Sequence, residues 1–175
     1  MTEYFLKGER VALRPYREED FEFIHQWVND EKTTFYMFTG QCPTSLSTSR
    51  SIYKEQFESS LNVVFIVENI QTQTPIGMAG LYDINPTARK TEFRILLGKD
   101  RGRGLGTEAT KLVTNYGFER LNMNRIFLGV TEENAGAVKA YKNAGYKVEG
   151  ILKEDLYRNG KYYNSIRMAI LAEER

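Results

Sequence analysis

Cysteine and histidine are almost absent from this 175-residue chain, and each absence removes a class of protein. A lone cysteine, Cys42, cannot close an internal disulfide or supply a multi-cysteine zinc site. A lone histidine, His25, rules out an imidazole-rich metal centre, so no metal is expected. No repeat, low-complexity tract or linker interrupts the chain, which is read as one domain over residues 1–175. The formal net charge is only +1, so no global field draws the protein to nucleic acid or an anionic membrane. No apolar run approaches the ~20 residues of a membrane span, and residues 1–8 lack a signal-peptide core. These absences predict a cytoplasmic protein with neither a nucleic-acid nor a membrane partner.

What is present is ordinary for a globular protein, with 41% hydrophobic and 27% charged residues, enough to bury a substantial core. Val11 to Leu13 reads as a short strand stopped by Pro15. Glu18 to Asp30 reads as a helix whose apolar face carries Phe21, Ile24, Trp27 and Val28. Glu31 to Ser47 breaks into aromatics, glycine, proline and hydroxyl residues, a loop with a lid or pocket role. Ser47 to Ser60 is a second helix, with Ile52, Tyr53, Gln56 and Phe57 on one side. Val63 to Glu68, Pro75 to Asn85 and Thr91 to Gly98 follow as an antiparallel meander. Then come a helix from Leu105 to Leu121, a strand from Arg125 to Val130 and a helix from Asn134 to Ala144, with Asn134 as N-cap. Tyr146 to Tyr157 and Lys161 to Leu171 form a hairpin across Asn159-Gly160. The predicted fold is α/β with a mixed, mostly antiparallel sheet, not a doubly wound parallel one.

The chain is organised around Arg101-Gly102-Arg103-Gly104-Leu105-Gly106-Thr107, between a strand and a long helix. Its glycines let backbone approach a ligand closely, and the free N–H groups and dipole of the helix start favour an anion. A Walker loop, Gly-x-x-x-x-Gly-Lys-Ser/Thr, is absent. A dinucleotide fingerprint fails at Thr107 and at Leu128-Gly129, where an acidic residue belongs. A tight turn without a ligand is the remaining alternative from the stretch alone.

Arg101-x-x-Gly104-x-Gly106 resembles the coenzyme A pyrophosphate loop of the GCN5-related N-acetyltransferases. A second segment, Asn134, Ala137, Ala140-Tyr141 and Ala144-Gly145-Tyr146, resembles that family's Asn-x-x-Ala-x-x-x-Tyr-x-x-x-Gly-Phe/Tyr pattern at the expected distance. The resemblance runs from Arg10 to Met168 and is nearest to the branch with ribosomal-protein N-terminal, spermidine and amino-sugar acetyltransferases. It implies a strand–helix–strand–helix acetyl-CoA-binding core and direct attack by an amine on the thioester in a ternary complex. Acetyl-CoA is then the co-substrate.

On that resemblance, Tyr141 is the general acid for the leaving thiolate and Glu92 the base, with Asp83 competing for the second role. Ile95, Leu96 and Leu97 would pair with the pantetheine arm like a strand. Arg101, Gly102, Arg103, Gly104, Leu105, Gly106 and Thr107 would hold the pyrophosphate, and Asn134, Ala137 and Ala140 would complete the coenzyme site. Trp27, Asn29, Phe35, Tyr36 and Asp83 are assigned to the acceptor. His25 is read as a helix residue rather than a base, and Cys42 has no evident partner that would activate it. The expected acceptor is a small-molecule amine, an amino sugar or a polyamine. The alternatives are a peptide amine, as in ribosomal-protein N-terminal acetylation, and a non-catalytic coenzyme-binding module. The apolar terminal hairpin is read as a surface for a homodimer.

Overall fold

The computed structural model describes residues 4–175. Eight strands form one sheet in the order β1-β2-β3-β4-β5-β6-β8-β7. Chain order gives β1 (Leu6–Lys7), β2 (Val11–Arg14), α1 (Asp20–Asn29), α2 (Glu31–Thr34), α3 (Leu46–Glu58), β3 (Val63–Asn69), β4 (Thr74–Asn85) and β5 (Lys90–Leu97). It continues through α4 (Leu105–Glu119), β6 (Arg125–Thr131), α5 (Ala135–Asn143), β7 (Lys147–Arg158) and β8 (Lys161–Leu171), closing on a 3-10 turn, Ala172–Glu174. Every neighbouring pair is antiparallel except β5 and β6.

Period-two alternation gives the sheet two buried faces. One face packs Phe65, Leu81, Phe93, Ile126 and Leu128 against Leu105, Ala109 and Val113 of α4, with Tyr141 of α5 alongside. The other packs Ile66, Met78 and Leu96 against Phe21, Ile24, Trp27 and Val28 of α1 and Tyr53 of α3. Strand β5 shows the alternation clearly: Phe93, Ile95 and Leu97 join the first cluster and Leu96 the second. Glu92 and Arg94, in step with Leu96, therefore lie on the α1–α3 side.

Strands β5 and β6 pair only through Lys90↔Arg125, Thr91↔Ile126 and Glu92↔Phe127. Beyond Glu92 the two strands part, so the inner edges of Phe93–Leu97 and Leu128–Thr131 face a slot rather than each other.

Three elements differ from expectation. The stretch after α1 contains a short helix, α2, capped by Asp30, whose carboxylate accepts from the Thr33 amide at 2.8 Å. Helix α3 turns Ser49 and Tyr53 inward and leaves Ile52 43% exposed, so Ile52 does not belong to its inner face. Strand β1, too short to show a period, pairs with β2. Arg14 anchors α1 to the sheet: wholly buried, it donates to Asp20 at 2.8 Å and to Glu68 at 2.7 Å.

The loop between α2 and α3 is strapped to the β7–β8 hairpin chiefly by Arg158, with Gln41 adding a 3.4 Å bond to the Tyr157 carbonyl. Arg158, only 6% exposed, donates to the carbonyls of Thr34 (2.6 Å), Gly40 (3.0 Å), Phe35 (3.3 Å) and Thr39 (3.3 Å). Gly40 makes this possible, because φ is +80° and a Cβ there would collide with Thr34. The Thr131 hydroxyl donates to the Tyr36 carbonyl at 2.8 Å, and Asn159 donates to Glu31 at 2.9 Å. Replacing Arg158 with Met leaves buried carbonyls unpaired and should lower stability by about 2–4 kcal/mol. Thermal unfolding checks this; a loss below about 0.5 kcal/mol would show that the strap carries no structural load.

Candidate active site

The turn after β5 has the backbone of an anion cradle. Gly104 is the N-cap of α4 at φ +78°, so the amides of Leu105, Gly106 and Thr107 have no intrahelical acceptor and point out of the helix start. A Cβ at Gly104 would lie 3.2 Å from Arg10 Nη2, which brings a second cation to the rim. Arg10 is held there by its own bonds: it donates to the Arg103 carbonyl at 2.9 Å and to Glu108 at 3.1 Å. Glu108 also accepts from the Arg10 amide at 2.8 Å, and these donors keep its carboxyl below the usual range despite burial. Gly102 and Arg103 are exposed, and Arg103 pairs loosely with Asp100 at 3.5 Å.

Arg101 has a different place from the one expected. Its guanidinium donates to the Lys32 carbonyl at 3.1 Å and to Thr33 Oγ1 at 2.7 Å, so in this conformation it ties the loop to α2 rather than facing the helix start. Leu97 packs against Gly106, which seats the end of β5 directly on the first turn of α4.

Tyr141 comes to the slot from α5. Its ring meets Phe93 edge-on, with centroids 6.2 Å apart, at the first residue of β5 beyond the last pair with β6. Tyr146 flanks it at 6.2 Å and is itself fixed by a 2.8 Å bond between its hydroxyl and Thr114. Among the described residues no side chain or carbonyl bonds the Tyr141 hydroxyl. Enclosure of the ring pushes its phenol up to about 12, since burial disfavours the phenolate. Asn134 caps α5 by accepting from the Ala137 amide at 3.3 Å, and Ala137 and Ala140 are half-buried on that helix.

The opposite side of β5 carries the charges. Glu92 is mostly covered and accepts from Arg94 Nη2 at 2.6 Å and Nε at 3.0 Å. The same guanidinium reaches Asp83 at 3.1 Å and lies 4.6 Å from the centroid of the buried Tyr82 ring. Glu92 and Asp83, rivals for the role of base in the sequence, are thus brought together by one arginine.

Two acceptor assignments need correction. Trp27 is 3% exposed and its ring lies flush on Gly98, so it backs the wall of the site and cannot touch an acceptor. Asn29 spends its amide on the chain itself, donating to the His25 and Thr44 carbonyls and accepting from the Thr44 amide at 2.9 Å. Phe35 and Tyr36 pack edge-on to each other and to Tyr163 of β8, half-buried beneath the strapped loop. His25 bonds Ser49 at 3.2 Å as a helix-packing residue, and Cys42 is exposed. Sequence reasoning missed Arg10, Arg94, Arg158 and Tyr163. Arg94 was legible, since a cation two residues after a strand-borne Glu92 shares its face; Arg10 comes from the turn before β2, and Arg158 and Tyr163 from the remote strands β7 and β8.

Among the described residues no cluster of His, Cys, Asp or Glu stands ready for a metal, and no helix is long and apolar enough to cross a membrane. The family model for the acetyltransferase (GNAT) domain matches residues 10–147. Spermidine N(1)-acetyltransferase of Escherichia coli (strain K12) is 33% identical over 165 residues, covering 94% of this chain and 87% of that protein. Its counterpart in Vibrio cholerae is 31% identical, covering 94% of both. The crystal structure of spermidine N-acetyltransferase from Vibrio cholerae in complex with CoA and spermine superposes with a TM-score of 0.85 at 30% identity, covering 94% of this chain and 97% of that one. With the split between β5 and β6, the glycine cradle and Tyr141 all in one slot, the chain belongs to the GNAT family and is an acetyl-CoA-dependent N-acetyltransferase.

Proposed function

We propose that the protein acetylates a primary amine of a small polyamine by direct attack, with Glu92 and Tyr141 on opposite sides of the reacting carbonyl. The observation that carries this reading is their placement at one point of β5. Glu92 ends the paired segment on the α1–α3 side, and Phe93, next in the chain, carries Tyr141 on the other. An amine arriving from the Glu92 side meets the thioester edge-on, and a proton donor waits on the far side for the sulfur. Glu92 takes the amine proton, directly or through one water. Tyr141 gives its proton to the leaving sulfur. The cradle at Gly104–Thr107 holds the pyrophosphate, and the open edge of Ile95–Leu97 pairs with the pantetheine amides.

The magnitude bears on the acid. A phenol at about 12 facing a thiol whose ordinary value is ~8.5 makes the transfer uphill by ~5 kcal/mol. The same dry slot raises the thiol too, because burial disfavours any anion formed there, and this narrows the gap.

The spermidine acetyltransferases to which the chain is similar support a polyamine. An amino sugar is the second reading, favoured by one fact: between Glu31 and Glu55 the chain has no acidic residue, so the strapped loop itself offers a polycation no carboxylate. Turnover across a panel of polyamines, amino sugars and peptide N-termini, read as thiol release, decides between them.

Tyr141→Phe should lower kcat by about 100-fold or more and leave coenzyme affinity unchanged; undiminished turnover would reassign the acid. Gly104→Glu places a carboxylate and a Cβ in the cradle and should weaken CoA binding by more than about 10-fold in a direct titration. Because the phenol is raised, it stays protonated below its elevated value. The rate should therefore rise with pH as the amine loses its proton, and show no alkaline fall from Tyr141 below about pH 10. A Tyr141-dependent fall near pH 8 would contradict that assignment.

A further inference from the structure

The carboxylates on the acceptor side are already occupied by a cation. Arg94 Nη2 bridges Glu92 at 2.6 Å and Asp83 at 3.1 Å, and its guanidinium carbon sits 4.6 Å from the centre of the Tyr82 ring. Acid walls over an aromatic floor are the chemistry by which proteins recognise ammonium groups. The opposite residue on β4 is Gly80, which offers no side chain to pack against, so Arg94 bends along the strand toward Tyr82 and Glu92. Its side chain remains 49% exposed and that of Asp83 72%, so water weakens the bond to Asp83, while Glu92, 20% exposed, holds the guanidinium more firmly.

We propose that Arg94 is an internal competitor for the acceptor's cation: in the resting protein its guanidinium fills the place between Asp83 and Glu92 that a substrate ammonium takes on binding. This rests on the reading that Glu92 faces the acceptor. Two carboxylates and one guanidinium leave a net charge of about −1 at the site, and removal of Arg94 doubles it. Arg94 is therefore a specificity residue. It sets the threshold of positive charge an amine must bring, disfavouring singly charged amines relative to polyamines, whose further ammonium groups help displace it.

The test is calorimetric titration of spermidine into CoA-saturated protein, comparing wild type with Arg94→Gln and Arg94→Lys. Arg94→Gln should bind spermidine ~10-fold more tightly at low salt, with the advantage shrinking as NaCl is raised. Arg94→Lys, which keeps the cation, should stay near wild type. Equal or weaker binding in Arg94→Gln overturns the proposal, as does an advantage that ignores salt or that Arg94→Lys shares. Turnover of the wild type on the amine panel is read separately. An enzyme that acetylates polyamines yet shows no Arg94→Gln advantage loses this inference alone. A wild type that acetylates only amino sugars loses the polyamine reading, while the titration still decides who occupies the carboxylates.

Discussion

Strands β5 and β6 lie side by side for three residues and then separate, and the open edges left behind dictate where chemistry can occur. Backbone N–H and C=O groups inside a protein must be paired, so a gap between two central strands holds either water or a ligand that bonds like a strand. A pantetheine arm, with its amides in series, is such a ligand. The separation also lets a residue from each face of the sheet approach one atom in the gap, which an intact ladder would forbid. Glu92 and Tyr141 stand on opposite sides of that opening, and α4 begins just past the end of β5, with the free amides of its first turn at the end of the slot.

Local signals carried much of this into the sequence. The turn chemistry at Gly104, the N-cap at Asn134 and the Asn159-Gly160 hairpin each depend on a few neighbouring residues, and all three lie where the pattern placed them. What was not legible depends on contacts between distant segments. Trp27 reads as an aromatic near a pocket, and only its contact with Gly98, seventy-one positions on, shows that it is wall rather than lining. Ile52 and Tyr53 are adjacent apolar residues, and one-dimensional periodicity could not say which of them the sheet would cover. Arg101 fits the anion motif by position, yet its guanidinium turns to Thr33 because α2, unmarked by any period, comes to rest beside it.

Three arginines illustrate how the same group serves different ends according to its surroundings. Arg14 is buried with two carboxylates and locks α1 onto the sheet. Arg158 is buried with carbonyls alone, among the described residues, and spreads its charge over four peptide dipoles to shape a loop that has no regular structure of its own. Arg94 is half in solvent and shares two carboxylates. The first two are hard to remove because each would strand partners without water, whereas the third stands where water or another cation can take its place.

The exposed thiol of Cys42 sits in the loop that Arg158 straps down, and the sequence contains no other cysteine. A maleimide dye would therefore attach at one place, in the loop between α2 and α3 and well apart from the glycine cradle in sequence. The protein comes with its own reporter: a fluorophore there would read the surroundings of the strapped loop in the wild-type sequence, without a competing label elsewhere.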